Sequence, residues 1–315
     1  MVVTIYPRNS FTFKQTNQLG SDAHWVIQNS DRQTLGSYSL WWQNTSKLNN
    51  QKVGYLGDIS ATNQEEFSAL LRHGCAELKK QGCKLAIAPI DGNTWQRYRV
   101  VTETDNSPPF FLESPYQTLN PQVFTQEGFE VVSSYHSRRV ADLQTTDRRS
   151  PRIAVRLSKL GITIRHLDIA NLEQELENLY PVVHQSFQSH FLYSQISKKD
   201  FIEQYLGLEK YIIPELILIA ENQTKIVGFI LAIPDLLNPN QRNNARVIFK
   251  TLGILPERKY SGLGILLLEK IREKSMQMGF QEAVYALIQS GGLCDNMTRN
   301  HGELFRRYAL FGKTL

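Results

Sequence analysis

Gly262 and Gly264 stand one residue apart in "LPERKYSGLGILLLEKIRE", directly after an apolar run and at the mouth of a helical pattern. Residues of this type in this place can bind an anion. Glycine permits positive φ and leaves no Cβ in the way of a ligand. The first amides of a helix lack internal partners and lie at the positive end of its dipole, so a pyrophosphate fits there. Lys259 adds a cation, and the neighbouring amides can form a nest around the anion. The plain alternative is a tight strand-to-helix turn that holds nothing. Two better-known phosphate loops do not fit. The dinucleotide fingerprint needs a third glycine where Leu267 stands, and a P-loop needs Gly-Lys-Ser/Thr where Gly264 is followed by Ile265.

Other residues invite chemistry less strongly. His184 and His190 are six apart, whereas a metal pair on a helix is four apart, so zinc is rejected and no metal is expected. Cys75, Cys83 and Cys294 form no Cys-x-x-Cys pair, and an odd, sparse set fits a reduced compartment better than a disulfide framework. Cys294 reads as a small buried residue rather than a reactive thiol. In "PIDGNTWQRYR", Asp91-Gly92 signals a turn and Asn93 or Thr94 is positioned to cap a short helix. Trp95 and Tyr98 would then share one side, as core or as part of an acceptor site. The densest basic run, "SRRVADLQTTDRRSPRIAVR", reads as a linker with solvated flanks.

The elements that must position the loop alternate between strand and helix. In the second half, 162–167 alternates like a strand, and Leu172, Leu176, Leu179, Val183 and Phe187 recur at helical spacing over 172–187. A helix over 200–208 follows, capped by Ser197 or Asp200. Apolar runs at 216–220 and 226–233 flank "ENQTK" as a hairpin. Then come a strand at 246–254, the helix after the loop at 262–278, a strand at 282–288, a short helix, and the strand "LFRRYALFGKTL". The first half has strands at 24–28 and 36–42 around the turn at 29–33, a strand at 52–59, a helix at 65–81, a strand at 84–88, and "NPQVFTQEGFE" as a short helix leading into "VVSSYHSRRV". The polar stretch "DLQTTDRRSPR" at 142–152 separates the halves. The tail order is the same in both, as for a duplicated unit, and the class is α/β with a mixed, α+β-type sheet.

The chain has 315 residues, enough for about two domains of roughly 100–200 residues. Its 41% hydrophobic and 21% charged residues match an ordinary globular protein with a sizeable core. The longest apolar run, 226–233, is far short of the roughly 20 residues of a membrane helix. The stretch "MVVTIYPRNSFTF" lacks an apolar core of signal-peptide length. A cytoplasmic protein with no membrane partner is expected. The net charge of +5 favours anionic ligands without indicating nucleic acid.

"LGILPERKYSGLGILLLEKI" resembles the acetyl-CoA-binding segment of the GCN5-related N-acetyltransferases (GNAT), whose pattern is Arg or Gln-x-x-Gly-x-Gly or Ala. The run from Lys259 to Gly264 matches it, with lysine at the first place. The element order over 162–315 also resembles that fold, and "FTQEGFEVV" in the first half is similar to the family's helix-Gly-Phe-strand ending. The whole resembles a tandem GNAT-like protein, with a degenerate GNAT-like domain at 1–145 and an acetyl-CoA-binding GNAT domain at 153–315. The first half is called degenerate because "DISATNQEEFS" stands where its cofactor loop would be, with no glycine between Gly57 and Gly74. It is then free to shape the acceptor pocket.

The resemblance implies acetyl-CoA as acyl donor. The main chain of Leu252, Gly253 and Ile254 would bond its pantetheine arm, and Lys259, Tyr260, Ser261, Gly262, Leu263 and Gly264 would hold its diphosphate. Asn296 falls where the family often has an asparagine near the arm. The implied chemistry is acetyl transfer to a small-molecule or peptide amine by direct attack; a homo-oligomer is left open. The catalytic pattern departs from the family. The short helical stretch after 282–288, "CDNMTRNHGELFRRY", holds no tyrosine before the final strand, so His301 is the candidate acid, with Tyr308 on the strand itself. The position of the family's strand glutamate is Ile248, while Glu257 belongs to a turn. Proximity alone can carry a reactive amine. These departures sustain an alternative, a non-catalytic acyl-CoA-binding sensor or scaffold, and a third reading in which a synthase uses a longer acyl chain.

Overall fold

The computed structural model describes residues 4–7, 20–29, 33–113, 116, 119–144, 146–238 and 245–315. The expected turn at 29–33 lies partly outside them, at 30–32, as does most of the stretch at 1–13. The first half contains β1 (Thr4–Pro7), β2 (Ala23–Gln28), β3 (Thr34–Trp41), β4 (Val53–Ala61), α1 (Gln64–Lys80), β5 (Leu85–Ala88), β6 (Val100–Thr104), α2 (Pro121–Gln126) and β7 (Glu130–Val140). The second contains α3 (Ser150–Lys159), β8 (Ile162–His166), α4 (Leu172–Phe187), α5 (Lys198–Leu206), β9 (Ile217–Asn222), β10 (Lys225–Pro234), β11 (Arg246–Ile254), α6 (Leu263–Gln277), β12 (Glu282–Gln289), α7 (Leu293–Thr298) and β13 (Glu303–Thr314). The mixed α/β class expected from the sequence is the one observed.

One continuous sheet crosses both halves, in the order β1-β2-β3-β4-β5-β13-β7-β12-β11-β10-β9-β8, with β6 also on β13. The two last strands are exchanged. β13, at the end of the chain, lies antiparallel on β5 of the first half, and β7 of the first half lies antiparallel on β12 of the second. β7 and β13 pair with each other at the centre. The expected division into 1–145 and 153–315 follows the chain, and the strand order crosses it three times, at β5-β13, β13-β7 and β7-β12. Each half's parallel pair therefore needs the other half to bury its open edge. A single unfolding transition is expected by calorimetry; two separable transitions would contradict the interlock.

Apolar residues set the layers. β10 is buried along nearly its whole length, as a strand covered on both faces must be. Helix α4 turns Leu172, Leu176, Leu179 and Val183 into the core, each 4–5% exposed. Two expectations are corrected. The basic run at 137–156 is not a linker: its start belongs to β7, where His136, Ser137 and Val140 are buried, and its end is helix α3, anchored by buried Leu157. Nor do Asn93 and Thr94 cap a helix. The Asn93 side chain accepts from the Trp95 amide at 2.9 Å, closing a turn, and the chain returns to bridge Ile90 with Tyr98.

Candidate active site

The loop after β11 leaves the start of the next helix open. Gly262 has φ +82°, a left-handed conformation that non-glycine residues adopt only with strain. It precedes α6, whose start has no side-chain cap and no acidic residue in the first turn. The first intrahelical bond runs from the Leu266 amide to the Gly262 carbonyl at 3.1 Å, so the amides of Leu263, Gly264 and Ile265 precede it. Tyr260 and Ser261 differ: their amides already donate to Glu257 and Arg258 in a 3₁₀ turn, and the Tyr260 ring is buried. Helix α3 leans on the loop from one side. The Arg156 guanidinium donates to the carbonyls of Lys259 and Ser261, at 3.1 Å for the former. A trans peptide aims its N–H opposite to its C=O. Arg156 thereby turns the Gly262 N–H away from α3.

The corresponding helix of the first half is the opposite case. α1 is capped by Asn63, whose Oδ1 accepts from the Glu66 amide at 3.0 Å, and the Glu66 carboxylate accepts from the Thr62 amide at 3.2 Å. Glu65 and Glu66 add negative charge to its first turn. That reciprocal capping satisfies the helix start and repels an anion.

Between β11 and β12 the sheet splits. The two strands pair in parallel only from Arg246↔Glu282 to Phe249↔Tyr285, then diverge. At the split β11 carries a bulge: Leu231 faces Thr251 and Ala232 faces Phe249, which leaves Lys250 as the extra residue. The Lys250 Nζ donates to the Leu112 carbonyl at 3.3 Å. Burial pushes its ammonium down to about 8, Arg99 adds to that shift, and Glu113 opposes it. On the β12 side, Leu287 has φ +58°; its amide donates to the Ser137 hydroxyl at 3.0 Å and its carbonyl accepts from Arg99 at 3.2 Å. Ser137 meets Tyr308, and Tyr308 and Arg306 both bond the Glu113 carboxyl, whose titration is raised by burial. The first half thus supplies Arg99, Leu112, Glu113 and Ser137 to the notch of the second.

The first half has the same split, between β4 and β5, after Tyr55↔Ile87, with its own bulge at Asp58. That notch is filled by the chain itself. The Ile90 amide donates to the Leu56 carbonyl at 3.0 Å, and the buried Asp91 carboxylate accepts the Asp58 amide at 2.6 Å. Tyr116 and Arg97 also bond Asp91. A Cβ on Gly57 would run into the Ile90 carbonyl.

The remaining candidates are distributed as follows. Leu252 and Ile254 are half-buried on the free part of β11, while Gly253 is glycine because the Phe229 ring occupies the space of a side chain. Asn296 is exposed and its Oδ1 accepts from Arg299 at 2.7 Å; its neighbour Met297 abuts Gly264. His301 faces a cleft with Asp147, Glu269, Arg272 and Tyr285, and not the groups around Lys250. Burial, with Arg272, holds its imidazole below the usual range. Ile248 is core and Glu257 lies 4.0 Å from Lys225. Trp95 and Tyr98 do not share a side. Trp95 donates to the Ser194 carbonyl at 2.8 Å beside Phe201, while the Arg99 guanidinium lies over the Tyr98 ring, which meets Tyr135 edge-on at 5.7 Å. His184 pairs with the Tyr193 hydroxyl at 2.9 Å, and among the described residues no three metal-ligating side chains converge. Cys294 is half-buried, with its thiol pushed up by burial. No described helix is long and apolar enough to cross a membrane. Sequence reasoning missed Lys250, although a lone lysine inside the apolar strand "RVIFKTLGI" was a signal.

No protein-family model and no curated protein matches the sequence. Solved structures match its fold. The GCN5-related glucosamine N-acetyltransferase region of a fungal multi-domain β-N-acetylglucosaminidase superposes with TM-score 0.56 at 15% identity, over 99% of this chain and 38% of that one. The chain therefore spans well under half of that protein. A GCN5-related N-acetyltransferase from Sphaerobacter thermophilus gives 0.53 at 13% identity, over 96% and 84%. A tandem GNAT protein from the clavulanic acid biosynthesis pathway gives 0.52 at 10% identity, over 99% and 98%. This chain has the fold of the GCN5-related N-acetyltransferases.

Proposed function

We propose that the protein is an N-acyltransferase that moves an acyl group, acetyl as first expected, from coenzyme A to an amine. The observation that carries this is the contrast between two equivalent helix starts: α6 is uncapped, glycine-led and free of acidic residues, while α1 is capped and acidic. The open start of α6 accepts a diphosphate through the amides of Gly262, Leu263, Gly264 and Ile265, with Lys259 as the nearby cation, while Arg156 holds the loop from its other side. The free edge of β11 at Leu252, Gly253 and Ile254 accepts the pantetheine arm in the notch. The first half is degenerate on this reading, since its notch holds its own chain.

Lys250 is the base. The acceptor reacts as its free amine, an ammonium having first lost one proton to water. The amine lone pair attacks the thioester carbonyl, the C–N bond forms and the C–S bond breaks, and neutral Nζ accepts the proton that the nitrogen sheds as it is acylated. The proton passes from Lys250 to the departing thiolate. Glu113, Tyr308 and Ser137 orient the groups around it. The test is thiol release from acetyl-CoA against a panel of amines, with binding measured separately by calorimetry. Acceptor-dependent release is expected. Tight coenzyme A binding with no release for any amine would leave a binding protein instead. No binding at all would remove the assignment.

A further inference from the structure

An apolar cavity of about 60 Å³ lies beneath α4 and α5, on the face of the sheet opposite α6. Its floor is Phe229, Leu231 and Ile233, alternate residues of β10 that point to one side. Its roof is Leu176, Leu179 and Val183 of α4, and the only heteroatoms its residue types add are the phenols of Tyr205 and Tyr211. A single water needs about 10–15 Å³ on the same measure and two to four polar partners. The cavity has room for several such groups and offers almost no partners, so it suits hydrocarbon.

Its mouth adjoins the notch. Leu231, in its floor, pairs with Thr251 across the bulge, next to Lys250. Leu112, in its wall, accepts the Lys250 Nζ through its carbonyl. Phe111 and Tyr211 meet edge-on at 5.3 Å beside that mouth. A chain entering past Lys250 would start where the reacting carbonyl and amine meet.

We propose that this cavity is a subsite for a hydrocarbon chain of about four to six carbons, attached directly to the reacting group. The enzyme would then handle either an acyl group longer than acetyl or an alkyl amine; both present the same chemistry to the cavity. The inference rests on the acyltransferase reading for the identity of the notch, but the cavity can be read without it.

The experiment has two arms. In the first, coenzyme A, acetyl-CoA, hexanoyl-CoA and decanoyl-CoA are compared by calorimetry. In the second, propylamine, hexylamine and decylamine are compared as acceptors by thiol release and, without coenzyme A, by shift of melting temperature. The arm that carries the chain should gain about fourfold per added methylene until the cavity is full. Leu208→Trp, at the half-buried rim, should abolish that gain and leave coenzyme A binding unchanged. If that variant fails to fold, Phe111→Ala should shift the preferred chain to a longer one. Flat chain-length responses in both arms, with coenzyme A bound normally, would overturn the subsite. Failure of coenzyme A to bind would instead overturn the acyltransferase reading, and the melting shift with hexylamine would still decide the cavity.

Discussion

Gly262→Glu is expected to weaken acetyl-CoA binding about a hundredfold or more, while the protein stays folded. The substitution sets a carboxylate at the uncapped start of α6, where the diphosphate of the ligand should lie, and like charges brought together across an interface cost several kcal/mol. It also fills the helix start from within, as Asn63 and Glu66 do for α1. Two structural costs come with it. A side chain at φ +82° is strained by about 1–3 kcal/mol, and the new Cβ would stand 3.2 Å from Ile153 of α3, so that side chain must yield. Gly262→Ala carries both costs without the charge. Calorimetry should therefore find alanine within a few-fold of the wild type and glutamate far weaker, with similar melting temperatures for the two variants. Equal binding by glutamate and wild type would mean that the loop is only a turn.

The loop was legible because its signal is local. Two glycines after an apolar strand dictate a turn and an open helix start whatever the rest of the chain does. The same holds for α4 and β11, whose limits follow from apolar spacing over 172–187 and 246–254. The exchange of β7 and β13 was not legible. Both strands follow a short helix near the end of their half, and which parallel pair each one completes depends on contacts more than 140 residues apart. Helix α3 was hidden by composition, since Arg149, Arg152 and Arg156 gave it the look of a solvated linker. Its reason to be helical lies elsewhere, in the carbonyls that Arg156 binds and the Gly262 turn that Ile153 covers. The bulge at Lys250 was hidden too. In sequence it is one polar residue in an apolar strand, and only pairing with β10 makes it the odd residue out. Likewise nothing in "PIDGNTWQRYR" says that it fills the first half's own notch; that follows from the split of β4 from β5.

Lys250→Met should lower kcat/KM by about 10²–10⁴-fold, the usual worth of a positioned base, with coenzyme A affinity retained. The sign of the pH dependence makes the test specific. A base works in its neutral form, so the neutral fraction of Lys250, and with it the rate, rises as pH climbs through about 8 and levels off above. About one molecule in ten is competent at pH 7 and about half at pH 8. An aromatic amine that stays neutral over this range keeps the acceptor's own titration out of the profile. His301 would leave a different mark: its imidazole titrates below the usual value of about 6.5, so a limb due to it would lie in acid. Lys250→Arg separates a base from a mere cation, because a guanidinium keeps its charge throughout and cannot accept the proton. If arginine restores the rate, or if the limb lies below pH 6.5 and disappears in His301→Ala, the proton leaves through the cleft beside α6 and the notch lysine serves only to hold Leu112.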